Sequence, residues 1–134
     1  MHGARPTAVS PVRFASRIEG IGRPCVPGSL RLELVERMIK VADAASIAAM
    51  ELCRDVLRLE VGPSTGTNLW AALRLAAEIR DGGITGTILT LACDSASRYR
   101  TTVLDPGWQH ANGIDTTTAH AGLLTLLERA SERT

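Results

Sequence analysis

The stretch Gly62-Pro-Ser-Thr-Gly-Thr-Asn68, entered from Glu60-Val61 and followed by Leu69-Trp70, constrains this chain most. Two glycines bracket a proline and two hydroxyl side chains, and the run opens directly into a strongly helical sequence. Such a junction aims backbone N–H groups and a helix N-terminus at one spot, where an anion or polar ligand can sit. It also needs an extended segment on one side and a helix on the other.

The rest of the chain supplies both kinds of element. Pro6, Pro11, Pro24 and Pro27 punctuate the first residues, so regular structure is expected from about Ser29. Ser29 caps an expected helix ending near Met38, and Met38 to Val41 reads as a short strand. Asp43 is an N-cap candidate for the alanine-rich run 44–57, where Ile47, Met50, Cys53 and Leu57 fall close to helical spacing. A helix is predicted over Thr67 to Arg80, with Leu69, Ala72, Leu73 and Ala76 on one stripe and Asp81-Gly82-Gly83 as its stop. The nearly all-apolar run Thr87 to Cys93 has the look of a strand covered on both faces, and Asp94 to Ser97 is a polar turn at its end. A last helix is expected from about Thr118 to Arg133.

Strands alternating with helices predict an α/β class, a partial three-layer α/β/α unit with parallel strands. The two or three strands are fewer than a stable doubly wound sheet uses, so the helices lack sheet to cover. With 134 residues and 45% hydrophobic content there is material for one domain, over 16–134, after a poorly ordered lead-in at 1–15.

A net charge of +1 with 22% charged residues excludes a general attraction to nucleic acid or anionic membrane. Cys25, Cys53 and Cys93 form no CxxC pair and are odd in number, which suits a reducing cytoplasm better than a disulfide framework. His2, His110 and His120 have no ligand spacing, so no metal site is expected. Gly62-Pro-Ser-Thr-Gly66 fits G-x-S-x-G formally, but the proline before the serine disfavours the strained turn that a hydrolase nucleophile needs.

Three clusters stand in a fixed order: Glu19-Gly-Ile-Gly22, then Gly62-Pro-Ser-Thr-Gly66, then Cys93-Asp94-Ser95 with Arg98-Tyr99. Ligands of open parallel sheets bind beyond the carboxyl ends of strands, and the second and third clusters are placed there. In order and spacing the three resemble the C-terminal portion of the cysteine synthase and cystathionine β-synthase family of pyridoxal-phosphate enzymes, with a tryptophan synthase β-like fold. The resemblance spans roughly residues 16–109.

The resemblance implies that Ser95 sets its hydroxyl against the pyridine nitrogen of pyridoxal phosphate. A neutral hydroxyl there suits β-elimination or β-replacement on cysteine or an O-substituted serine, rather than transamination. Gly20 and Gly22 would let backbone pass close to the cofactor. Ser64, Thr65 and Gly66 would line the substrate cleft. A cysteine desulfhydrase-like or synthase-like lyase is implied.

The family's lysine segment, its asparagine loop and its phosphate cradle have no counterpart in the sequence, and Lys40, the sole lysine, matches no family lysine. Cys93 stands where a proline is usual. The expectation is a partial sequence with no catalytic residue of its own and no covalent cofactor attachment, inactive alone, a possible homo-oligomer or one lacking an N-terminal half. The alternative is a non-catalytic fragment or interaction subunit that docks on a partner chain.

Overall fold

Residues 43–57 form a helix because alanines and apolar side chains fill ten of its fifteen positions, enough to bury most of its first three turns. This helix, α1 (Asp43–Leu57), is the centre of the computed structural model, which describes residues 16–21 and 26–131. All six residues from Ala45 to Met50 are buried. The N-cap is Ala42, one residue earlier than expected, and the Asp43 carboxylate is used differently. It accepts from Ser16 Oγ at 2.6 Å and from the Arg17 N–H at 2.8 Å, tying segment 16–21 to the start of α1. Arg58 ends the helix in a left-handed conformation at φ 57°.

The second helix, α2 (Pro63–Asp81), begins four residues before its expected start. Pro63 at the first helical position has its φ preset and no N–H to leave unsatisfied, so the helix starts at once after Gly62. What the sequence suggests as a loop is therefore the first turns of α2. At its other end the Ile84 N–H reaches back to the Ile79 carbonyl at 3.0 Å and Gly83 takes φ 66°, the glycine stop that was expected.

A short helix, α3 (Pro106–Ala111), was not expected. Asp105 caps it, accepting from the Trp108 N–H at 2.6 Å, and Pro106 opens it. The last helix, α4 (Thr117–Ser131), forms close to its predicted range. It packs on α1 and α2 through Leu123, which is fully buried, with Ala119 and Leu127 beside it.

Two apolar clusters result, one on each side of α1. Ile47, Met50 and Cys53 meet Val61, Tyr99 and Val103, with Trp108 packed against them. Ala48, Ala49 and Leu52 meet Leu123, with Trp70 and Leu73 at the edge.

The expected helix from Ser29 shrinks to a single 3₁₀ turn, Leu32–Leu34, with no buried residue. Leu30, Leu32 and Leu34 are spaced by two, which gives no continuous helical stripe to bury, and helices this short depend on packing. Met38 to Val41 has no ladder partner among the described residues. Thr87 to Cys93 lies in a stretch with no ladder among the described residues, and Leu89 and Leu91 are 92% and 71% exposed. The described residues contain one isolated antiparallel bridge, Val61 to Ser95, and no longer strand. The parallel three-layer sheet thus remains a proposal for the larger fold. The expected lead-in at 1–15, together with Gly22 and Cys25, lies outside the described residues.

Candidate functional site

The bridge between Val61 and Ser95 brings the second and third sequence clusters side by side. The Gly62 N–H donates to the Asp94 carbonyl at 2.7 Å, and the Ala96 N–H donates to the Glu60 carbonyl at 3.3 Å. The first turns of α2 then grip the incoming segment. The Cys93 N–H donates to Thr65 Oγ1 at 2.8 Å, and Asn68 Nδ2 donates to the Leu91 carbonyl at 3.1 Å. Thr65 is buried and its hydroxyl holds backbone.

Gly66 is buried on the face of α2 that meets α1. A Cβ there would run into the Ser46 carbonyl oxygen and come within 2.9 Å of the Met50 backbone nitrogen. Its neighbour Thr67 donates to Ser46 Oγ at 2.8 Å across the same contact. Ser64, half-buried, donates weakly to Asp94 Oδ1 at 3.4 Å.

The anion at the start of α2 is the protein's own. Asp94 lays its carboxylate against Gly62, where any Cβ would collide with it and approach the Tyr99 ring to 2.8 Å. Tyr99 donates its hydroxyl to Asp94 Oδ2 at 2.5 Å. A carboxylate beside a helix N-terminus is electrostatically favoured, so the position that the sequence suggests for a ligand is occupied from within.

The hydrogen bond to Asp94, followed by burial and the Asp94 charge, pushes the Tyr99 phenol up to about 12; Arg98 opposes this and Glu19 adds to it. The folded value lies above the ordinary one, so the neutral phenol is the form that folding favours. Its contribution is complete below pH 10 and is lost as pH rises through about 12. Gly20 takes φ 86° and is exposed, with nothing near a Cβ placed on it.

Ser95 caps the 3₁₀ turn Ala96–Tyr99, its hydroxyl oxygen accepting from the Ser97 N–H at 3.3 Å. The side chain is exposed, and among the described residues its own proton is given to no acceptor. A serine in this state is a hydrogen-bond donor available to an unprotonated ring nitrogen. In that respect Ser95 fits the pyridine edge of the cofactor. Lys40 is exposed in a segment without regular structure. A shallow hollow of about 300 Å³, open solvent included, lies beside the bridge among Met50, Glu51, Arg54, Glu60 and Ala96. Its two glutamates suit an anion poorly, and none of the candidate residues lines it.

No family model matches the chain. Individual relatives do. The chain is 50% identical over 101 residues, 75% of its length, to the L-cysteine desulfhydrase Cds1 of Mycobacterium tuberculosis. It is 37% identical over 89 residues to cysteine synthase B of Campylobacter jejuni, and 32% identical over 112 residues to cystathionine beta-synthase of Dictyostelium discoideum. The chain belongs to the pyridoxal-phosphate-dependent, cysteine synthase-like family of cysteine-metabolising lyases and synthases. It spans about a quarter of each relative's length, 27%, 28% and 22% respectively. No helix among the described residues is long and apolar enough to cross a membrane.

Of the residues named from the sequence, Ser64 approaches the Asp94 carboxylate, Thr65 accepts from the Cys93 N–H, Ser95 follows Asp94 in the chain, and Gly20 is exposed in a separate turn. Gly66 sits at a helix contact and Gly22 is outside the described residues. Asp94 and Tyr99 enter the sequence argument only as motif letters. The available signal was an acid five residues before the sole tyrosine, with a glycine at the facing position 62.

Proposed function

We propose that this chain supplies the pyridine-side wall of a pyridoxal-phosphate site that acts on cysteine or an O-substituted serine, with cysteine desulfhydration as the specific activity. The observation that carries the reading is Ser95, exposed with a free hydroxyl proton in the segment that follows an apolar run. The 50% identity to a protein named L-cysteine desulfhydrase supports the choice of activity.

The cofactor, when bound, supplies the electron sink that lets a β-substituent leave. Ser95 would hold the ring nitrogen by donating its hydroxyl proton. A neutral donor gives that nitrogen no proton of its own, which favours elimination and replacement over transamination. Gly20 and Gly22 would leave room for backbone to approach, and Ser64 and Thr65 would fix the cleft wall from behind through Asp94 and Cys93. Thr87 to Cys93 would be one strand of a parallel three-layer sheet, its apolar side chains covered by the remaining layers. With Lys40 exposed in a segment without regular structure and matching no family lysine, the chain alone would be inactive, in a reducing cytoplasmic setting. Docking on a partner chain that completes the site is the second reading, favoured by the exposure of Leu89 and Leu91.

The test is a chimera in which residues 16–131 replace the matching quarter of the mycobacterial desulfhydrase. It should release sulfide from cysteine, and Ser95→Ala should lower the rate about tenfold, the worth of one hydrogen bond in a shielded site. The chain alone with pyridoxal phosphate should release none. A chimera indifferent to Ser95→Ala would remove the proposed role, and sulfide from the isolated chain would refute its inactivity.

A further inference from the structure

We propose that Tyr99 is a positioning residue: it ties the Asp94 carboxylate to the start of α2, so that neutral Ser95, rather than its acidic neighbour, faces the cofactor nitrogen. The inference rests on the reading of Ser95 given above and deepens it. Asp94 and Ser95 are adjacent, and both are polar groups able to meet a ring nitrogen. A carboxylate in that position would draw a proton onto the nitrogen, whereas a hydroxyl would not. Which of the two faces outward therefore decides the chemistry of the site.

Four contacts make the choice. Ser95 is extended (φ −81°, ψ 146°) and follows a bend at Asp94, so the backbone alone does not assign the two side chains to their sides. The bridge pins the backbone around the pair, through Gly62 N–H to the Asp94 carbonyl and Ala96 N–H to the Glu60 carbonyl. The Tyr99 hydroxyl then takes Asp94 Oδ2, and Ser64 Oγ approaches Oδ1. Gly62 completes the seat, since only a residue without a Cβ leaves room for both the carboxylate and the tyrosine ring. Tyr99 itself is held by Ile47, Met50, Val61 and Val103, so its hydroxyl is presented from a buried, well-packed ring. The charged groups facing the phenol are Asp94, Glu19 and Arg98.

Tyr99 is the only tyrosine in the chain, so tyrosinate absorbance at 295 nm reports it alone. In the unaltered chain the titration midpoint should lie near pH 12. In Asp94→Asn it should fall toward about 10, the ordinary phenol value, a change in ionisation constant of up to about a hundredfold. A midpoint near 10 in the unaltered chain, or one that Asp94→Asn does not move, overturns the inference. This measurement needs no cofactor.

The second measurement uses the desulfhydrase chimera carrying Tyr99→Phe, which keeps the buried ring and removes only the hydroxyl. With ¹⁵N-labelled pyridoxal phosphate bound, the ring-nitrogen resonance should move toward its protonated position, because the carboxylate is released. Restoring Tyr99 should return it. A resonance that does not move overturns the positioning role even if the titration behaves as expected. A normal titration in a chimera that binds no cofactor would leave the Tyr99–Asp94 contact standing and remove the functional reading beneath it.

Discussion

Replacing Gly66 with alanine should cost the chain about 2 kcal/mol of stability, although alanine is the better helix former. Two effects oppose each other at this position. The helix interior gains about 1 kcal/mol from alanine over glycine. Against this, the new methyl meets the Ser46 carbonyl oxygen and the Met50 nitrogen, both backbone atoms of α1. Neither can rotate aside, so α1 and α2 must separate, and overpacking of this kind costs about 1–3 kcal/mol or more. The separation would also stretch the Thr67–Ser46 hydrogen bond. Gly122 in α4 is the control, because a Cβ there meets nothing within 4 Å. Gly122→Ala should stabilise by about 0.5–1 kcal/mol. Urea denaturation followed by the fluorescence of Trp70 and Trp108 reads both. Equal stabilisation by the two substitutions would show that the helices do not meet at Gly66.

Leu123→Ala should be more damaging still, at about 3–4 kcal/mol. Leu123 is the one residue of α4 that is wholly buried, and it enters the cluster formed by Ala48, Ala49 and Leu52. Its alanine-rich surroundings have little side-chain length with which to close a cavity. For a domain holding about 5–15 kcal/mol in total, the loss is a large part of the whole. Leu124 is its neighbour and is 45% exposed, so Leu124→Ala should cost less than about 1 kcal/mol. Thermal melts by circular dichroism would separate the two. Proteolysis between α3 and α4 should accelerate in Leu123→Ala, since the helix would detach before the rest unfolds. Similar melting temperatures for the two variants would mean that α4 is not docked through Leu123.

The long helices are legible because their apolar side chains recur close to the helical period. Ile47, Met50 and Cys53 are spaced for one face of α1, and the glycine pair after Asp81 marks the end of α2. The start of α2 is less legible because Pro63, Ser64 and Gly66 each suit a turn as well as a helix, and only the fit of Gly66 against α1 decides between them. Asp105-Pro106 carries a cap and an opening proline, yet a six-residue helix leaves too little periodicity to be noticed. Thr87 to Cys93 is apolar enough for a buried strand, but its ladder depends on partners that sequence composition does not specify. At the candidate site, the order of Ser64, Thr65 and Ser95 is visible along the chain. The seating of Asp94 is not, because it needs Gly62 and Tyr99, thirty-seven positions apart, to be known as neighbours.

The carboxylate lodged at the head of α2 has a consequence for the other end of the cofactor. An external phosphoryl group brought beside this internal acid would meet a charge of its own sign, which opposes the attraction of the helix terminus. If the chain takes the proposed cofactor, its phosphate would be gripped by other residues. Under the proposed function, this quarter of the family architecture would handle the aromatic ring and leave the charged tail to whatever stands opposite.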